Sequence, residues 1–283
     1  MALKMKIVAD SSSDVLKLEG VDFESAPLKI ITNNTEYVDD ENLDVDKMVS
    51  DLSEYSDKSG TACPGVEDWL KAFSDADRVF CVTITSALSG SYNSACVAKQ
   101  EYEEMYPDRK VCVIDSLSAG PEIGLIIEKI SELIAEGNDF EEICKSISEY
   151  QTHTGVVFML QSLRNLANNG RVSKIVAGAA GILNIRVLGK ASDKGTLEPM
   201  AKKHGERLSL PYLKQMLEEQ GYKGGKIRIS HCCNESSAQK LKELIQAEFK
   251  KAKIEIGKTR GLCSYYAEKG GLLIGFEKNL CTT

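Results

Sequence analysis

The sequence predicts a two-domain α/β protein, with a mainly parallel sheet in the N-terminal domain and a mixed α+β C-terminal domain. Its length of 283 residues suits two domains of ordinary size. In the first half, near-continuous apolar runs alternate with helix-like segments, a pattern typical of a parallel sheet covered on both faces. In the second half, irregular lengths separate the strand-like runs. We expect the domains to span residues 1–152 and 153–283.

The elements of the first half are each predicted from a local pattern. Strands are expected where apolar residues run together, at residues 6–9, 27–31, 79–84 and 111–114. Helices are expected at residues 66–73, 92–105 and 119–135. In the last of these, six apolar side chains recur at helical spacing. Pro121 falls near its start, where the missing amide proton costs little.

The second half is predicted to mix helices and strands in a less regular order. Helices are expected at residues 140–150, 161–167 and 236–249, and Gly170 provides a stop signal soon after the second of these. Strands are expected at residues 156–160, 182–188, 226–230, 254–257 and 272–276. Neither a repeat nor a low-complexity linker separates the halves, so we expect two closely packed domains.

Composition and charge exclude several classes of protein. Apolar residues make up 42% of the chain and charged residues 27%, which argues against disorder. The net charge of −7 would repel phosphate backbones, so nucleic-acid binding is disfavoured. The longest apolar stretch, residues 175–183, is far shorter than the ~20 residues of a membrane-spanning helix. The N-terminus has no signal-peptide core. We therefore expect a cytoplasmic protein without stable membrane insertion.

The nine cysteines are expected to be reduced thiols. Most stand in apolar contexts, where cysteine behaves as a small hydrophobic residue, and cytoplasmic chains rarely carry structural disulfides. The closest cluster is His231-Cys232-Cys233. Adjacent side chains on a strand point to opposite faces, so we expect no metal site there.

Familiar catalytic motifs are absent, but small hydroxylated residues recur in the loops that follow strands. The sequence has no phosphate-binding P-loop, no dinucleotide-binding glycine motif and no nucleophile elbow. Hydroxylated loops occur at residues 10–13, 61–64, 85–91 and 115–118. Such loops can meet at the carboxyl edge of a parallel sheet, where hydroxyls and free amides can hold an anion. Simple helix capping by Ser and Thr is the alternative explanation for each loop.

Taken together, these loops and several further motifs resemble the DegV family, whose members include the fatty-acid-carrier subunits of bacterial fatty acid kinase. The resemblance runs through nearly the whole chain in the family's order. The motifs that carry it are Val8-Ala-Asp-Ser-Ser12, Ala26-Pro-Leu28, Thr61-Ala-Cys-Pro64, Leu88-Ser-Gly-Ser-Tyr92, Asp115-Ser116, Leu163-Arg-Asn-Leu166, Gly170-Arg-Val172 and Gly270-Gly-Leu-Leu-Ile-Gly-Phe276.

The resemblance implies a long-chain fatty acid held between two α/β domains. The carrier would be no enzyme and would need no cofactor or metal besides this ligand. It would present the ligand's carboxylate to a separate fatty acid kinase. Residues carried over by position as lipid-binding are Thr61, Ser89 and Gly90, followed by Ser91, by Ser11 or Ser12, and by Tyr266.

The chain departs from the family's pattern at three places. Members of the family usually carry a His where this chain has Tyr266, and tyrosine cannot hold a positive charge. Ala62 follows Thr61, so one loop donor is lost. The basic run of the kinase carriers is diluted here at residues 200–207, where Lys202 is a candidate for partner docking. Arg171 is a second docking candidate, with a solvated arginine after a helix stop as the alternative.

Two other functions stay open at this point. The first is an enzyme that acts on a small carboxylate or phosphate in the same cleft, with Asp10, Ser89 and Tyr266 as participants. The second is a regulatory module whose bound lipid acts as a signal to a partner other than a kinase. Loss of turnover in a Ser89→Ala variant would indicate the enzyme, whereas a carrier would only retain its ligand less well.

Overall fold

The structure, a computed structural model, describes residues 3–173 and 184–278 of the chain. These residues contain thirteen strands, which are β1 (Met5–Asp10), β2 (Asp22–Ala26), β3 (Lys29–Ile31), β4 (Glu36–Val38), β5 (Gly60–Ala62), β6 (Arg78–Thr83), β7 (Lys110–Asp115), β8 (Thr154–Leu160), β9 (Ile185–Ala191), β10 (Leu197–His204), β11 (Tyr222–His231), β12 (Lys253–Lys258) and β13 (Leu272–Lys278).

The same residues contain nine α-helices, which are α1 (Val45–Glu54), α2 (Val66–Phe73), α3 (Ser91–Met105), α4 (Pro121–Ala135), α5 (Phe140–Tyr150), α6 (Arg164–Asn168), α7 (Gly205–Glu219), α8 (Glu235–Glu248) and α9 (Gly261–Ala267). Short 3₁₀ helices lie at Ser11–Ser13 and Gln151–His153. None of the described helices is long and apolar enough to cross a membrane.

The N-terminal sheet consists of four parallel strands in the order β2-β1-β6-β7. Successive side chains on β6 point to opposite faces, as the period of a strand requires. Val79 and Cys81 pack with α2 and α3 on one face, while Phe80 and Val82 pack with α4 and α5 on the other. Both faces are therefore covered, which explains why these strands read as continuous apolar runs.

Helix α4 lies between the two large sheets. Nine of its fifteen residues are buried, which fits a helix that is apolar on most of its circumference. One side packs on the N-terminal sheet, and the start of the helix packs against Gly275 of β13. A Cβ atom at Gly275 would lie 2.4 Å from the amide nitrogen of Glu122, so only glycine permits this close approach.

The C-terminal sheet consists of six strands in the order β10-β9-β8-β13-β11-β12, and it is mixed. Its pairs are antiparallel except β11 with β12, which are parallel. Val157 and Met159 face a core formed with α7 and α8. Phe158 and Leu160, which alternate with them on β8, face the opposite side, toward the N-terminal half.

A small antiparallel sheet, β4-β3-β5, corrects one sequence prediction. Residues 27–31 were expected to form a strand of the parallel sheet, but Lys29–Ile31 lies in this small sheet, and Asp22–Ala26 provides the parallel edge strand instead. The first four residues of β2 alternate between exposed and half-buried and only Ala26 is buried, so this edge strand lacks the continuous apolar run that marks β6. The position of β2 at the edge of the sheet therefore could not be predicted from an apolar pattern.

The predicted fold class, an α/β protein with a parallel N-terminal sheet and a mixed C-terminal one, is confirmed. The helices predicted at residues 66–73 and 140–150 are found with the same bounds. Helices α1, α7 and α9 were not predicted. The expected strand at residues 182–188 begins outside the described residues. The apolar stretch 175–183 lies entirely outside them. The domain boundary after residue 152 stays a prediction.

Candidate functional site

A largely apolar cavity lies where the carboxyl edge of the N-terminal sheet, helix α9 and the inner face of the C-terminal sheet meet. Leu28, Ile84 and Ala119 follow strands of the N-terminal sheet, and Phe158 and Leu160 come from β8. The remaining lining comes from the loops and from β5, α6, α9, β10 and β13, and consists of Thr61, Leu88, Ser89, Leu166, Arg171, Leu197, Leu262, Cys263, Tyr266, Ala267 and Leu273. This position agrees with the rule that open α/β sheets bind ligands beyond their strands' carboxyl ends.

Thr61 and Tyr266 bring a hydroxyl pair to the wall of the cavity. The two hydroxyl oxygens lie 2.8 Å apart, and both residues are half-buried. Burial raises the pKa of Tyr266, while the hydrogen bond with Thr61 and the nearby charge of Arg171 act to lower it. Tyr266 is therefore a neutral phenol at ordinary pH. It can donate one hydrogen bond to an anion but cannot neutralise its charge.

Arg171 supplies a positive charge to the same group of polar side chains. Its Nε donates to the carbonyl oxygen of Leu88 at 3.0 Å, and its Nη1 donates to the carbonyl oxygen of Asn169. These bonds hold the half-buried guanidinium beside Ser89 and within electrostatic reach of Tyr266. Arg171 was predicted as a partner-docking residue, but the structure places it in the cavity lining. The residues that follow α6 bring Arg171 to the cavity, and the spacing of residues in the sequence could not reveal this.

Ser89 and Gly90 occupy the loop that leads into α3. Ser89 lines the cavity, and its hydroxyl accepts a hydrogen bond from the amide of Ser91 at 3.2 Å. Gly90 is the N-cap residue of α3, it is exposed, and it does not line the cavity. The Ser89 hydroxyl thus satisfies one of the amides that the start of this fifteen-residue helix leaves without an intrahelical partner.

Ser12 and Ser91, both predicted as lipid-binding, bind the buried carboxylate of Asp10 instead. Ser91 Oγ donates to Asp10 Oδ2 at 2.6 Å, and Ser12 Oγ donates to Asp10 Oδ1. The amide of Ile84 donates to Oδ2 at 2.9 Å. Burial raises the pKa of Asp10, and these three donors oppose that rise. Neither serine lines the cavity, and Asp10 does not reach it.

Ser11 also serves the fold rather than the cavity. Its hydroxyl accepts a hydrogen bond from the amide of Leu28 at 3.0 Å, and its side chain is buried. The carboxylate of Asp39, which Ser11 also contacts, accepts hydrogen bonds from the amides of Gly261 and Leu262, each at 2.8 Å. Through these bonds the loop after β1 and the small sheet hold the start of α9, the helix that carries Tyr266.

Asp14 forms a second link between the two halves of the chain. Its Oδ1 accepts a hydrogen bond from the amide of Arg260 at 2.7 Å, while Oδ2 is shielded from solvent without a hydrogen-bond partner. Burial is the main cause that raises the pKa of Asp14 to about 7. Asp14 has a positive φ of 60°, so an asparagine is the natural isosteric replacement there.

The β9–β10 hairpin closes one side of the cavity, because Leu197 at the start of β10 belongs to the lining. At its turn, Gly195 is buried and has a φ of +73°. A Cβ atom there would lie 2.1 Å from Thr85 Oγ1 and 3.0 Å from the Cα of Leu117. The turn thus packs tightly on two loops of the N-terminal sheet. Lys202, the other predicted docking residue, is exposed on β10, outside the cavity.

Sequence reasoning identified three polar side chains that line the cavity, Thr61, Ser89 and Tyr266, but missed most of its apolar wall. Leu262 and Cys263 lie on α9, a seven-residue helix without a clear periodic pattern. Leu197 comes from β10, where exposed and half-buried residues alternate. Among the described residues, no group of three or more His, Cys, Asp or Glu side chains is placed to hold a metal ion.

Comparisons with known proteins identify the family of this chain. The family model described as "Uncharacterised protein, DegV family" matches residues 4–279. A DegV domain-containing protein of Streptococcus pneumoniae (strain ATCC BAA-255 / R6) is 45% identical over 276 residues, which cover 96% of this chain and 98% of the relative.

Two similar solved structures contain fatty acids. A DegV family protein from Eubacterium eligens, loaded with heptadecanoic acid, has a TM-score of 0.95 and 45% identity, covering 97% of this chain and 100% of that one. The Streptococcus pneumoniae Fatty Acid Kinase (Fak) B3 protein, loaded with linoleic acid, has a TM-score of 0.96 and 44% identity, covering 98% and 100%. Because the family model and these relatives match almost the entire sequence, the chain belongs to the DegV family.

Proposed function

We propose that this chain binds one long-chain fatty acid in the cavity and presents its carboxylate to a separate fatty acid kinase. The observation that carries the proposal is the cavity lining. Apolar side chains make up most of it, and its polar members are Thr61 and Tyr266, which are hydrogen-bonded to each other, Arg171, whose charge acts on Tyr266, and Ser89. The solved relatives that contain heptadecanoic and linoleic acid support the choice of ligand.

Burial of the acyl chain would supply most of the affinity. Each methylene removed from water contributes about 0.8 kcal/mol, so ~15 methylenes contribute roughly 12 kcal/mol before costs. Loss of translational and rotational freedom and ordering of the flexible chain remove several kcal/mol of this. The lining offers leucine, isoleucine, alanine and phenylalanine side chains, which make no demand for hydrogen bonds from an alkyl chain.

The polar group would hold the carboxylate. A carboxylate taken out of water is unfavourable unless donors or a positive charge compensate it. Thr61 and Tyr266 hydrogen-bond each other, and each has one hydroxyl proton that can turn toward a carboxylate oxygen. Arg171 adds a charge that the sequence prediction lacked, since that prediction relied on neutral donors alone. Charge-assisted hydrogen bonds are about twice as strong as neutral ones.

The predicted lipid-binding set is therefore revised in this proposal. We keep Thr61, Ser89 and Tyr266, and we add Arg171. Gly90 contributes only as the cap of α3. Ser11, Ser12 and Ser91 are assigned a structural role. The hydroxyl of Ser11 accepts a hydrogen bond from the amide of Leu28, and those of Ser12 and Ser91 donate to Asp10.

The enzyme alternative loses its general acid or base in this arrangement. It named Asp10 as a participant beside Ser89 and Tyr266, yet both Asp10 oxygens accept hydrogen bonds within the fold and Asp10 does not line the cavity. The kinase partnership rests on the likeness to the Fak B3 protein. We propose Lys202, exposed on β10, as part of the surface that meets the kinase, in place of Arg171.

Denaturing solvent extraction of the purified protein, followed by mass spectrometry, tests the ligand. We expect about one fatty acid per chain, and the delipidated protein should rebind palmitate, oleate or linoleate at one site. Extracts without lipid, together with no binding of the added acids, would rule the proposal out. The kinase role is tested separately by adding a bacterial fatty acid kinase subunit and ATP, and measuring acyl phosphate formation that depends on this chain.

A further inference from the structure

Cys112 and Cys144 form a pair of thiols outside the lipid cavity. Cys112 lies on β7, an edge strand of the N-terminal sheet, and Cys144 lies on α5. Both are free and half-buried, both pack on the same hydrophobic cluster, and a contact between their side chains shifts the pKa of both thiols. Two neighbouring elements therefore bring together two cysteines that are 32 positions apart in the sequence.

The register between β7 and α5 shows why the two thiols meet. Lys110 at the start of β7 forms an ion pair with Glu141 in the first turn of α5. Beyond the helix, Gln151 Nε2 donates to the carbonyl oxygen of Asp115 at 2.8 Å. A strand rises about 3.3 Å per residue and a helix about 1.5 Å, so five strand residues and ten helical residues cover nearly equal lengths. The helix therefore runs alongside the strand. Cys112 lies two residues after Lys110 and Cys144 lies three residues after Glu141, so both cysteines follow the ion pair closely.

The surroundings make the two thiols unequal. The hydrogen bond from Cys144 lowers the pKa of Cys112, and the charge of Lys99 lowers it further, although burial opposes both. The same contact and burial raise the pKa of Cys144. Since the thiolate is the reactive form of cysteine, Cys112 is the nucleophile of the pair and Cys144 is positioned to react second.

We propose that Cys112 and Cys144 are a reversible redox site, which forms a disulfide when a hydroperoxide oxidises it. The Cys112 thiolate attacks one peroxide oxygen, the O–O bond breaks, and the leaving oxygen takes a proton, which leaves a sulfenic acid on Cys112. The Cys144 sulfur then attacks the Cys112 sulfur and loses its proton, the S–O bond breaks, and water leaves. With hydrogen peroxide, two thiols become one disulfide and two waters form. A thiol reductant reverses the change.

Peptide mapping of the full-length protein tests this site. The reduced protein is treated with one equivalent of hydrogen peroxide, its remaining thiols are alkylated, and it is digested with trypsin without reduction. Cleavage after lysine and arginine leaves each cysteine alone in its peptide, residues 111–129 and 130–145. We expect these peptides to be linked, with loss of two thiols per chain, and we expect dithiothreitol to separate them.

Two variants provide the controls. Cys144→Ser removes the second thiol, so Cys112 should stop at a sulfenic acid that dimedone traps. Cys233→Ser removes the exposed cysteine and should leave the link unchanged. The proposal fails if the wild-type peptides are recovered separately alkylated while other cysteines oxidise, or if Cys112 links mainly to another cysteine. The wild-type mapping gives this answer even if a variant does not fold.

Discussion

The hydroxyl oxygens of Thr61 and Tyr266 lie 2.8 Å apart, although 205 positions separate the two residues in the sequence. Thr61 lies on β5 of the small sheet and Tyr266 on α9, so this hydrogen bond joins the N-terminal half of the chain to the C-terminal half at the wall of the cavity. Tyr266 is the position at which the resemblance to the DegV family predicts a histidine. The phenol keeps the contact with Thr61 but leaves positive charge at this site to Arg171.

Tyr266→Phe should weaken fatty acid binding without unfolding the protein. The substitution removes one donor to a carboxylate, a hydrogen bond worth about 1.5–3 kcal/mol, so we expect the Kd to rise ~10- to 150-fold. Fluorescent fatty acid displacement on delipidated protein measures this change. Tyr265→Phe, on the neighbouring residue whose hydroxyl contacts Ser59 and Asn169, is the matched control and should change the Kd less. Equal effects of the two variants would contradict a head-group role for Tyr266.

Substitutions at Arg171 and Lys202 should separate ligand binding from partner docking. Arg171→Gln removes the positive charge of the cavity, so we expect fatty acid affinity to fall ~10-fold or more. Arg171→Lys keeps the charge but loses the planar donor geometry, so its fatty acid affinity should lie between those of wild type and Arg171→Gln. Lys202→Gln, on an exposed residue, should leave fatty acid affinity within about twofold and lower the rate of kinase-dependent acyl phosphate formation. Loss of fatty acid affinity in Lys202→Gln would show that this assignment is wrong.

Asp14 should make stability fall as pH rises through the acidic range. Its folded-state pKa of about 7 lies above the ordinary value of 3.8, so between these values the folded chain keeps a proton that the unfolded chain has lost. Asp14→Asn mimics the protonated form and keeps the acceptor for the Arg260 amide. We expect its melting temperature relative to wild type to increase from pH 4 to pH 7.5 and then stay constant. A difference that does not change with pH would contradict the shifted pKa.

Burial also raises the pKa values of Asp10, Asp39 and Glu122, so these carboxyl groups act in the same direction. They are common to wild type and Asp14→Asn, and the difference between the two proteins therefore reports on Asp14. Asp14 itself faces Asp39, Arg260, Cys263 and Ser230.

Gly195→Ala should loosen the hairpin that closes the cavity. An alanine there has an unfavourable positive φ, which costs about 1–2 kcal/mol, and its Cβ would lie 2.1 Å from Thr85 Oγ1. Gly137→Ala has a similar φ of +84° but meets no atom within 4 Å, so it carries only the backbone cost. We therefore expect Gly195→Ala to lower the melting temperature more than Gly137→Ala and to release bound fatty acid faster. Identical release rates would show that the turn does not help to close the cavity.

Local sequence patterns were enough to predict the parts of the fold that depend on neighbouring residues. The apolar run of β6 and the helical spacing of α4 are local patterns, because a strand or helix buries its side chains with a fixed period. The motifs that contain Thr61 and Ser89 were also found from the sequence, since the residues of each motif are contiguous. The edge strand β2 and the strands of the small sheet lack such patterns, because short edge strands bury few side chains.

Which polar side chains face the cavity depends on contacts between distant parts of the chain. Ser89 and Ser91 are two positions apart, yet Ser89 lines the cavity and Ser91 binds Asp10, 81 positions away. Arg171 reaches the cavity because the carbonyl oxygen of Leu88 accepts its Nε–H from 83 positions away. These outcomes depend on sheet order and on packing between the halves of the chain. Contacts of that range leave no periodic signal along the sequence, which is why the local motifs identified the loops but not the direction of each side chain.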